Sequence, residues 1–576
     1  MRLLLIAALA ACAFAAEADD PVLQAMREEV KRAASLKLAS LETPYFVQLT
    51  LDDAASTSAS ATLGGLVRSD QTRYRLPGVQ VRIGSYDFDN TNYVGSGFNF
   101  AGGYDLGRFP LDSQPAIMRR YFWLAMDQSY KSAVEAIARK RAALKSVTVS
   151  ETLPDFSKAE PLKRIEPVGF GPSDRRGWED RTRQWSAIFQ KYPAVINSSV
   201  DFEEVQNARY LVNSEGSEVR SMERVSFIRA RGRSQASDGM MLYDAVLAQS
   251  HNALALASDP DLPKAIQQMA ENLTALSKAP VGDSYSGPVL FEGMAGPQLM
   301  AQVLGRNLSL FRKPVTEPGR PSGFPTSEFE GRVGSRILPE WIDVVDDPTQ
   351  TEWRGRPLFG HYTVDMEGVA PQPLSIVEKG VLKNFLLTRQ PVKNYSASNG
   401  RARLPGAFGA HAASISNLFI QARETTPAAD LKKKLLEMIS ARGKPFGILV
   451  RKLDFPSAAS LDEIRSLLAG SARSGGGIPL SSPILIYRVY PDGREELVRG
   501  MRFRGVNART LRDIQAASDE MHVFEYLDSA APFALIGAGG FITETCVVAP
   551  SLLIDDVDLV KAEDQLPKLP IVPPPS

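Results

Sequence analysis

Cysteine is nearly absent from this chain, whose 576 residues include only Cys12 and Cys546. Removal of the N-terminal apolar stretch that contains Cys12 would leave a single thiol, so an intrachain disulfide framework is excluded. A chain of this length can bury enough apolar surface to fold without such cross-links. Cys546 lies in the apolar segment FITETCVVAP, a setting typical of a buried core thiol rather than of an activated thiolate.

Histidine is also scarce, and the four in the chain are His251, His361, His411 and His522. No two of them lie within one helical stretch, which excludes a zinc helix of the HExxH type. A zinc site built from distant histidines and Cys546 stays open, although no spacing in the sequence indicates it. The sequence has no GxSxG nucleophile motif. Its glycine clusters lack the spacing and the following Lys-Ser/Thr of a phosphate-binding loop.

A net charge is missing as well, because 66 acidic residues balance 66 basic ones. Nucleic-acid binding usually shows as a basic excess or patch, so this balance argues against that function for the chain as a whole. The basic residues of a predicted helix at Gln114–Lys145 are interpreted as a solvated face. With 44% hydrophobic and 23% charged residues, the composition is that of an ordinary globular protein.

Long apolar runs are absent except at the N-terminus. Residues 1–16, MRLLLIAALAACAFAA, combine the basic Arg2, an apolar core at Leu3–Ala13 and a small-residue cleavage region, as in a secretory signal peptide. The run is shorter than the ~20 residues that a membrane-spanning helix needs. We expect a soluble mature protein that is secreted or periplasmic. Alternatively, Leu9–Cys12 resembles a bacterial lipoprotein box, and Cys12 would then carry a lipid that anchors the chain to a membrane.

Hydrophobic periodicity predicts the main elements of the chain. Helices are expected at Pro21–Leu38, Gln114–Lys145, Arg181–Tyr192, Asp244–Ala257 and Asp261–Lys278. Strands are expected at Tyr45–Leu51, Thr57–Val67 and Arg73–Ile83. His251 falls in the fourth of these helices, where a hydrogen-bonded structural histidine is expected. From Ser286 onward β-like segments dominate, and Pro288–Leu308 predicts a short strand followed by a helix with one buried face.

The most distinctive segment is Phe359–Arg403, which contains the acidic turn Asp365-Met366-Glu367-Gly368 and the polar turn Ser398-Asn399-Gly400-Arg401. The paired acids Asp365 and Glu367 could act as a general acid and a general base. The alternative is a turn whose carboxylates accept hydrogen bonds from their own backbone amides. Physical reasoning alone favours this alternative.

The order of motifs around this segment resembles the TldD/PmbA family of metallopeptidase-related proteins. The segments DMEGVAPQ, IVEKGVLKNFLLTR and SNGRAR carry the resemblance between Asp365 and Arg403. The turn Asn213–Gly216, the pair Asp238-Gly239 and the run Asp346-Asp347-Pro348 precede them in the family's order, and Arg499-Gly500 follows. The match covers roughly residues 200–520 well and the N-terminal region weakly.

Catalytic members of that family carry an HExxxH motif on a helix that corresponds to Pro297–Leu308. When this chain is aligned with the motif, Ala301 stands at the first His, Gln302 at the Glu and Arg306 at the second His. A methyl group, an amide and a guanidinium cannot form a zinc site, because zinc takes imidazole, thiolate and carboxylate ligands. Cys546 lies outside the glycine-rich setting of the cysteine that the family also uses. The chain therefore resembles the metal-less PmbA (TldE) type of member.

The resemblance implies an α+β fold, in which an N-terminal α/β portion precedes a mostly antiparallel, barrel-like, β-rich C-terminal domain. The expected divisions are a signal peptide at 1–16, an N-terminal α/β domain at 17–115, a middle α/β region at 116–280, the C-terminal domain at 281–560 and a proline-rich tail at 561–576.

The resemblance also implies a function. The chain is expected to be a non-catalytic pseudoenzyme of a hydrolase family, which pairs with a zinc-bearing TldD-type paralogue, or with itself as a dimer, in the proteolysis of unfolded peptides. No catalytic residue, metal ligand or cofactor of its own is expected, and zinc is expected only in the partner. Candidate peptide-contacting residues are Asp365, Glu367, Asn399 and Arg401. Nucleic acid is not an expected partner, and a membrane is expected only if Cys12 is lipidated.

Two alternatives stay open. The first is a stand-alone peptide-binding or envelope-assembly protein without peptidase activity. The second is a metal-independent hydrolase with a rebuilt site that uses Asp365 and Glu367.

Overall fold

A computed structural model describes residues 20–35, 42–94, 109–145, 153–316, 326–405, 411–454, 480–528 and 543–562. The predicted signal peptide with Cys12, and nearly all of the predicted tail, lie outside these residues. The α-helices are α1 (Pro21–Ala34), α2 (Pro115–Ala143), α3 (Arg175–Ser186), α4 (Ala253–Ala257), α5 (Asp261–Lys278), α6 (Ala295–Val303) and α7 (Ala428–Ala441). None of the described helices is both long and apolar enough to cross a membrane.

The strands of the first half are β1 (Pro44–Thr62), β2 (Gly65–Ile83), β3 (Tyr93–Val94), β4 (Lys163–Ile165), β5 (Val195–Asn213), β6 (Glu218–Gln235), β7 (Met241–Ser250), β8 (Tyr285–Phe291) and β9 (Val315–Thr316). Those of the second half are β10 (Ile342–Asp346), β11 (Glu352–Trp353), β12 (Arg356–Pro357), β13 (Leu374–Glu378), β14 (Val381–Leu382), β15 (Ala402–Pro405), β16 (His411–Ala413), β17 (Asn417–Ala422), β18 (Gly447–Leu453), β19 (Pro483–Val489), β20 (Glu495–Val498), β21 (Met501–Arg504), β22 (Ile514–Asp528) and β23 (Thr543–Lys561).

The first sheet is built on two long strands, β1 and β2, which form a hairpin of 19 residues on each side. The chain reverses at Leu63 and Gly64, whose φ angles of 46° and 80° are left-handed and suit a tight hairpin turn. The predicted strand Thr57–Val67 is therefore wrong, because it runs through this turn. The small residues of the segment do not indicate where one strand ends and the next begins.

The order of this sheet is β2-β1-β5-β6-β4, and β7 pairs with β6. Strand β1 comes from the predicted 17–115 domain and β5 from the predicted 116–280 region, and the two pair antiparallel from Gln48 with Asn213 to Ala61 with Val200. Helices α1 and α2 pack on this sheet through a shared buried cluster that includes Val47, Val81 and Tyr210. The helix predicted at Gln114–Lys145 is confirmed as α2.

The helix predicted at Asp244–Ala257 is wrong over its first half. Residues 241–250 form strand β7, which pairs antiparallel with β6 along its whole length. The helix α4 begins only after Asn252, whose side chain caps it by accepting the N–H of Leu254 at 3.0 Å. His251 consequently lies in the link between strand and helix, where Nδ1 contacts the carbonyl oxygen of Arg224 at 2.9 Å.

The second sheet contains eleven strands in the main order β14-β13-β10-β17-β23-β8-β18-β19-β20. The long strand β23 lies at its centre and also pairs with β21 and β22. Among the described pairs of this sheet, only β17 with β23 and β18 with β8 are parallel. The α+β class and the mostly antiparallel sheet are thus confirmed. The barrel-like closure of the domain stays a prediction, because the described strands follow an open order.

Strand β8 leads directly into α6, as the sequence predicts for Pro288–Leu308. All nine residues of α6 are buried, so the helix is enclosed rather than amphipathic. Gly296 permits this enclosure, because a Cβ atom there would lie 2.2 Å from the carbonyl oxygen of Pro550 on β23. Helix α6 is therefore fixed tightly against the central strand of the second sheet.

Candidate functional site

Helix α6 and the turn that follows it carry polar side chains into an otherwise apolar core. Gln298 and Gln302 lie on one side of α6 at four-residue spacing, and Arg306 follows in the turn Gly305–Asn307. Oε1 of Gln298 accepts the N–H of Leu453 at 2.8 Å. Oε1 of Gln302 accepts the N–H of Ser481 at 3.0 Å, and its Nε2 donates to Oγ of Ser481 at 2.9 Å. The two glutamines thus connect α6 to the ends of β18 and of the segment before β19.

These residues do not fit a zinc ion. Ala301 is 2% exposed and offers only a methyl group. Both polar atoms of the Gln302 amide are already engaged, and Arg306 carries a cationic guanidinium that would repel the metal. No three His, Cys, Asp or Glu side chains come together elsewhere in the part of the chain that the structure describes. Cys546 is fully buried in the core, where burial raises the pKa of its thiol.

A cavity of about 1000 Å³ lies beside α6, between the two sheets. Seven successive residues of β7, from Tyr243 to Gln249, line one wall, and Gln298, Lys452 and Phe524 are among those on the other. Successive side chains of a strand point to opposite faces of its sheet, so a cavity on one face would be lined by every second residue. Because seven consecutive residues line this cavity, it lies at the edge of β7. Among the described strands β7 pairs with β6 alone. Backbone groups along this edge are therefore directed at the cavity.

Side chains cross the cavity rim and join the two sheets. Nζ of Lys452 donates to Oδ1 of Asp244 at 2.5 Å and to the carbonyl oxygen of Ala245 at 2.6 Å. The hydroxyl of Tyr243 donates to Asp454. These contacts place β7 of the first sheet against the end of β18 in the second. Lys452 thereby occupies one carbonyl of the β7 edge.

The acidic turn lies elsewhere in the interface between the sheets. Oδ1 of Asp365 accepts the N–H of Glu367 and of Val369, both at 2.9 Å, and Oδ2 accepts that of Ala402 at 3.1 Å. The interpretation of a turn that satisfies its own backbone amides is therefore confirmed for Asp365. Burial is the main cause that raises the pKa of Asp365, and the negative charge of Glu367 is the second. Although the three N–H donors lower it, the pKa rises to about 7.

Glu367 is 3% exposed and is held by two partners. Its Oε2 accepts the N–H of Arg389 at 2.6 Å, and its Oε1 lies 3.1 Å from Nδ1 of His411. Burial opposes ionisation, but the His411 contact and the Arg389 N–H outweigh it and lower the pKa of Glu367. Asp365 and His411 also line a smaller cavity of about 240 Å³ against the first sheet.

The polar turn is equally engaged. Oδ1 of Asn399 accepts the N–H of Leu387 at 2.8 Å, and its Nδ2 donates to the carbonyl oxygen of Phe385 at the same distance. Arg401 is fully buried, with Nε donating to Oδ1 of Asp346 at 2.7 Å. Since Ala402 also bonds Asp365, the two turns lie side by side.

All four predicted contact residues thus come together in one region, and each is bonded within the fold. Direct contact of these residues with a peptide stays a prediction.

Sequence reasoning missed two residues that organise this region, Arg389 and His411. Arg389 is fully buried and crosses between the two halves of the chain. Its guanidinium donates to the carbonyl oxygen of Ser157 at 2.6 and 2.9 Å and to Glu215 at 2.7 Å. The motif turn Asn213–Gly216 therefore meets the acidic turn through this arginine. Its place at the end of the IVEKGVLKNFLLTR motif is the sequence feature that could have identified Arg389.

The pH dependence of stability tests the charges in this interface. At Glu223, whose side chain stays 36% exposed beside Arg209, partial burial and the charges of Glu544 and Asp52 raise the pKa to about 7, and full burial raises the pKa of Asp365. In the unfolded chain such groups titrate near 4. Between pH 4 and 7 the folded state therefore binds more protons, so the free energy of unfolding falls as pH rises.

We expect the urea midpoint to decrease from pH 5 to pH 8, and to decrease less in Glu223→Gln, which cannot ionise. Glu340→Gln, on the surface, should follow the wild type. Parallel profiles for wild type and Glu223→Gln would contradict the assignment.

The sequence matches known proteins mainly in its C-terminal half. Residues 284–454 match the PmbA/TldA metallopeptidase C-terminal domain. A protein named metalloprotease from Archaeoglobus fulgidus is 38% identical over 78 residues, which are 14% of this chain and 17% of that protein. Another of that name from Methanocaldococcus jannaschii is 35% identical over 79 residues, which are 13% and 16% of the two chains. In these matches the chain spans about a sixth of the length of its relatives.

The fold is similar over a much longer stretch. The crystal structure of TldE from Thermococcus kodakarensis superposes with a TM-score of 0.53 at 13% identity, and the alignment covers 93% of this chain and all of that one. This likeness concerns the fold alone. The resemblance to the TldD/PmbA family is confirmed through the C-terminal domain at residues 284–454, and the metalloprotease relatives agree with it.

Proposed function

We propose that this protein is a secreted, metal-less member of the TldD/PmbA family that binds unfolded peptides and acts with a zinc-bearing paralogue in their proteolysis. The observation that carries the proposal is the chemistry of α6. Where catalytic members hold the zinc motif, this chain has a buried methyl group, an amide bonded to Ser481 and a guanidinium. A chain built in this way contributes binding rather than metal chemistry.

The large cavity supports peptide binding. An extended peptide can add to an open sheet edge through backbone hydrogen bonds, which do not depend on its side chains. The edge of β7 faces the cavity over seven residues. Two basic side chains on the walls are paired with acids, Arg356 with Glu525 and Lys452 with Asp244. Such a lining suits unfolded peptides of varied sequence.

Metal content and activity of the mature chain test the proposal. We expect zinc far below one ion per chain by elemental analysis, and no hydrolysis of an unstructured peptide by this protein alone. A pull-down from the host should recover a paralogue that carries HExxxH, and hydrolysis should appear when that paralogue is added. The paralogue by itself is the control. Stoichiometric zinc together with hydrolysis by this chain alone would overturn the proposal, whereas peptide binding by a chain whose pull-down recovers no paralogue would favour a stand-alone binding protein.

A further inference from the structure

Arg306 has hydrogen-bond donors that the described part of the protein does not use. It follows α6 in the short turn Gly305–Asn307 and its side chain is half-buried. Its Nη1 atom is buried, and no described residue accepts a hydrogen bond from it. By contrast, Arg82 bonds Asp89, Arg401 bonds Asp346 and Arg403 bonds the carbonyl oxygen of Ile415. A buried donor without an acceptor is unfavourable, so Arg306 is suited to receive an acceptor from a ligand.

The charges around Arg306 leave its donors unused. Asp528 is close enough to attract the guanidinium, but its Oδ2 accepts the hydroxyl of Ser414 at 2.6 Å. The second cation of this region, Arg403, is paired with Glu544 at 3.5 Å. Burial lowers the pKa of Arg306, yet an arginine side chain stays protonated in a protein. Arg306 therefore offers a positive charge whose N–H donors no described residue uses.

We propose that Arg306 binds the carboxylate of a peptide substrate, an inference that rests on the proposed function. The planar guanidinium fork matches a carboxylate through two parallel hydrogen bonds. Every peptide carries one such group at its C-terminus, whatever its sequence. Acidic side chains carry the same group, so both sources have to be compared.

The position of Arg306 agrees with this role. Gln298 on α6 lines the large cavity, and Arg306 lies in the turn Gly305–Asn307 that follows this helix. On β22, Phe524 and Glu525 line the cavity, and the phenol of the next residue, Tyr526, is close enough to Arg306 for their charges to interact. A peptide along the edge of β7 can therefore extend past these residues and leave its C-terminal carboxylate at Arg306.

Peptide affinity measured by fluorescence anisotropy tests the inference on the full mature chain. The probes are fluorescein-labelled ten-residue peptides of Gly, Ser and Ala: one with a free C-terminus, one amidated, and one amidated with a Glu at the penultimate position. We expect the free acid to bind at least about tenfold more tightly than the amide, because a hydrogen bond to a charged group is lost. Tight binding of the Glu-containing amide would show that a side-chain carboxylate serves equally.

Variants of Arg306 identify the receptor. Arg306→Met should bind the free acid only as tightly as the amide, and Arg306→Lys should keep part of the preference because it keeps the charge. Arg356→Met, which removes a cation already paired with Glu525, should leave the preference intact. Since Arg306 has no hydrogen bond to lose, the thermal midpoint of Arg306→Met should be unchanged or raised.

The outcomes separate the two proposals. If the wild type binds acid and amide equally, or if Arg306→Met keeps the preference, the carboxylate inference is overturned and peptide binding stands. If the wild type binds none of the peptides, the proposed function itself fails and the inference fails with it.

Discussion

Asp346→Ala is expected to destabilise the protein by about 3–5 kcal/mol, because it removes one member of a buried ion pair and leaves the other uncompensated. Asp346 and Arg401 are both fully buried, and Nε of Arg401 lies 2.7 Å from Oδ1 of Asp346. The same carboxylate accepts the hydroxyl and the N–H of Ser416 at 2.8 and 2.7 Å. The substitution therefore removes three hydrogen bonds at once.

Urea unfolding at neutral pH measures this effect. Glu340→Ala is the matched control, since Glu340 pairs with Arg336 on the surface and both side chains are more than half exposed. Exposed pairs contribute at most about 1 kcal/mol. An Asp346→Ala variant as stable as the control would mean that the fold does not depend on the pair of Asp346 and Arg401. Arg401 would then be available to contact a peptide.

The contacts of Arg401 give the polar turn a structural role. The sequence motif SNGRAR predicts a functional turn, and the structure places it beside the acidic turn. Yet Nη1 of Arg401 donates to the carbonyl oxygen of Asn399 at 2.7 Å, and Nη2 donates to that of Gln372 at 2.7 Å. The arginine therefore connects three chain segments through one planar group. Holding these segments together is sufficient to explain why the motif contains an arginine here.

The strand–helix unit of β8 and α6 was predictable from sequence because its apolar residues recur with helical spacing and Pro297 fits the first turn of a helix. Helix α2 was predictable for the same reason. Strand β7 was not, because the Ala- and Leu-rich run 244–257 also fits a helix. Pairing with β6 along ten residues decides its conformation, and that information lies in another segment of the chain.

The contacts of the candidate site were likewise beyond sequence reasoning. Arg389 meets Glu215 across 174 positions, and His411 meets Glu367 across 44. Spacing along a chain predicts neighbours on one helix or strand but not partners that two sheets bring together. The absence of HExxxH residue types at Ala301, Gln302 and Arg306 could be seen in the sequence, because it concerns residue types within one short segment. The open edge of β7 was not, because it depends on the order of strands.

The contact between Lys452 and Asp244 joins the two sheets beside the open edge of β7. Asp244 is fully buried, its Oδ2 has no partner among the residues that the structure describes, and its Oδ1 accepts a hydrogen bond from Lys452 at 2.5 Å. Lys452 is the cation that balances this carboxylate, although its own side chain is 25% exposed. It also donates to the carbonyl oxygen of Ala245, on the edge where the proposed peptide would pair. One lysine thus stabilises the joint between the sheets and occupies part of the binding edge.

Lys452→Met should therefore destabilise the protein by about 3 kcal/mol, because the buried carboxylate loses its counter-charge. The double variant Asp244→Asn with Lys452→Met should regain most of this loss, since it removes both charges. Urea unfolding of the two single variants and the double variant gives their interaction energy directly. Lys264→Met, at an exposed pair with Asp261, is the control and should change stability little.

The double variant also separates stability from binding. With Lys452 gone, the carbonyl oxygen of Ala245 is released to accept a hydrogen bond from a peptide. A folded double variant should hence bind the free-acid peptide at least as tightly as the wild type does. Weaker binding, with the fold intact, would mean that Lys452 itself contacts the peptide and that the edge of β7 is not the surface on which it pairs.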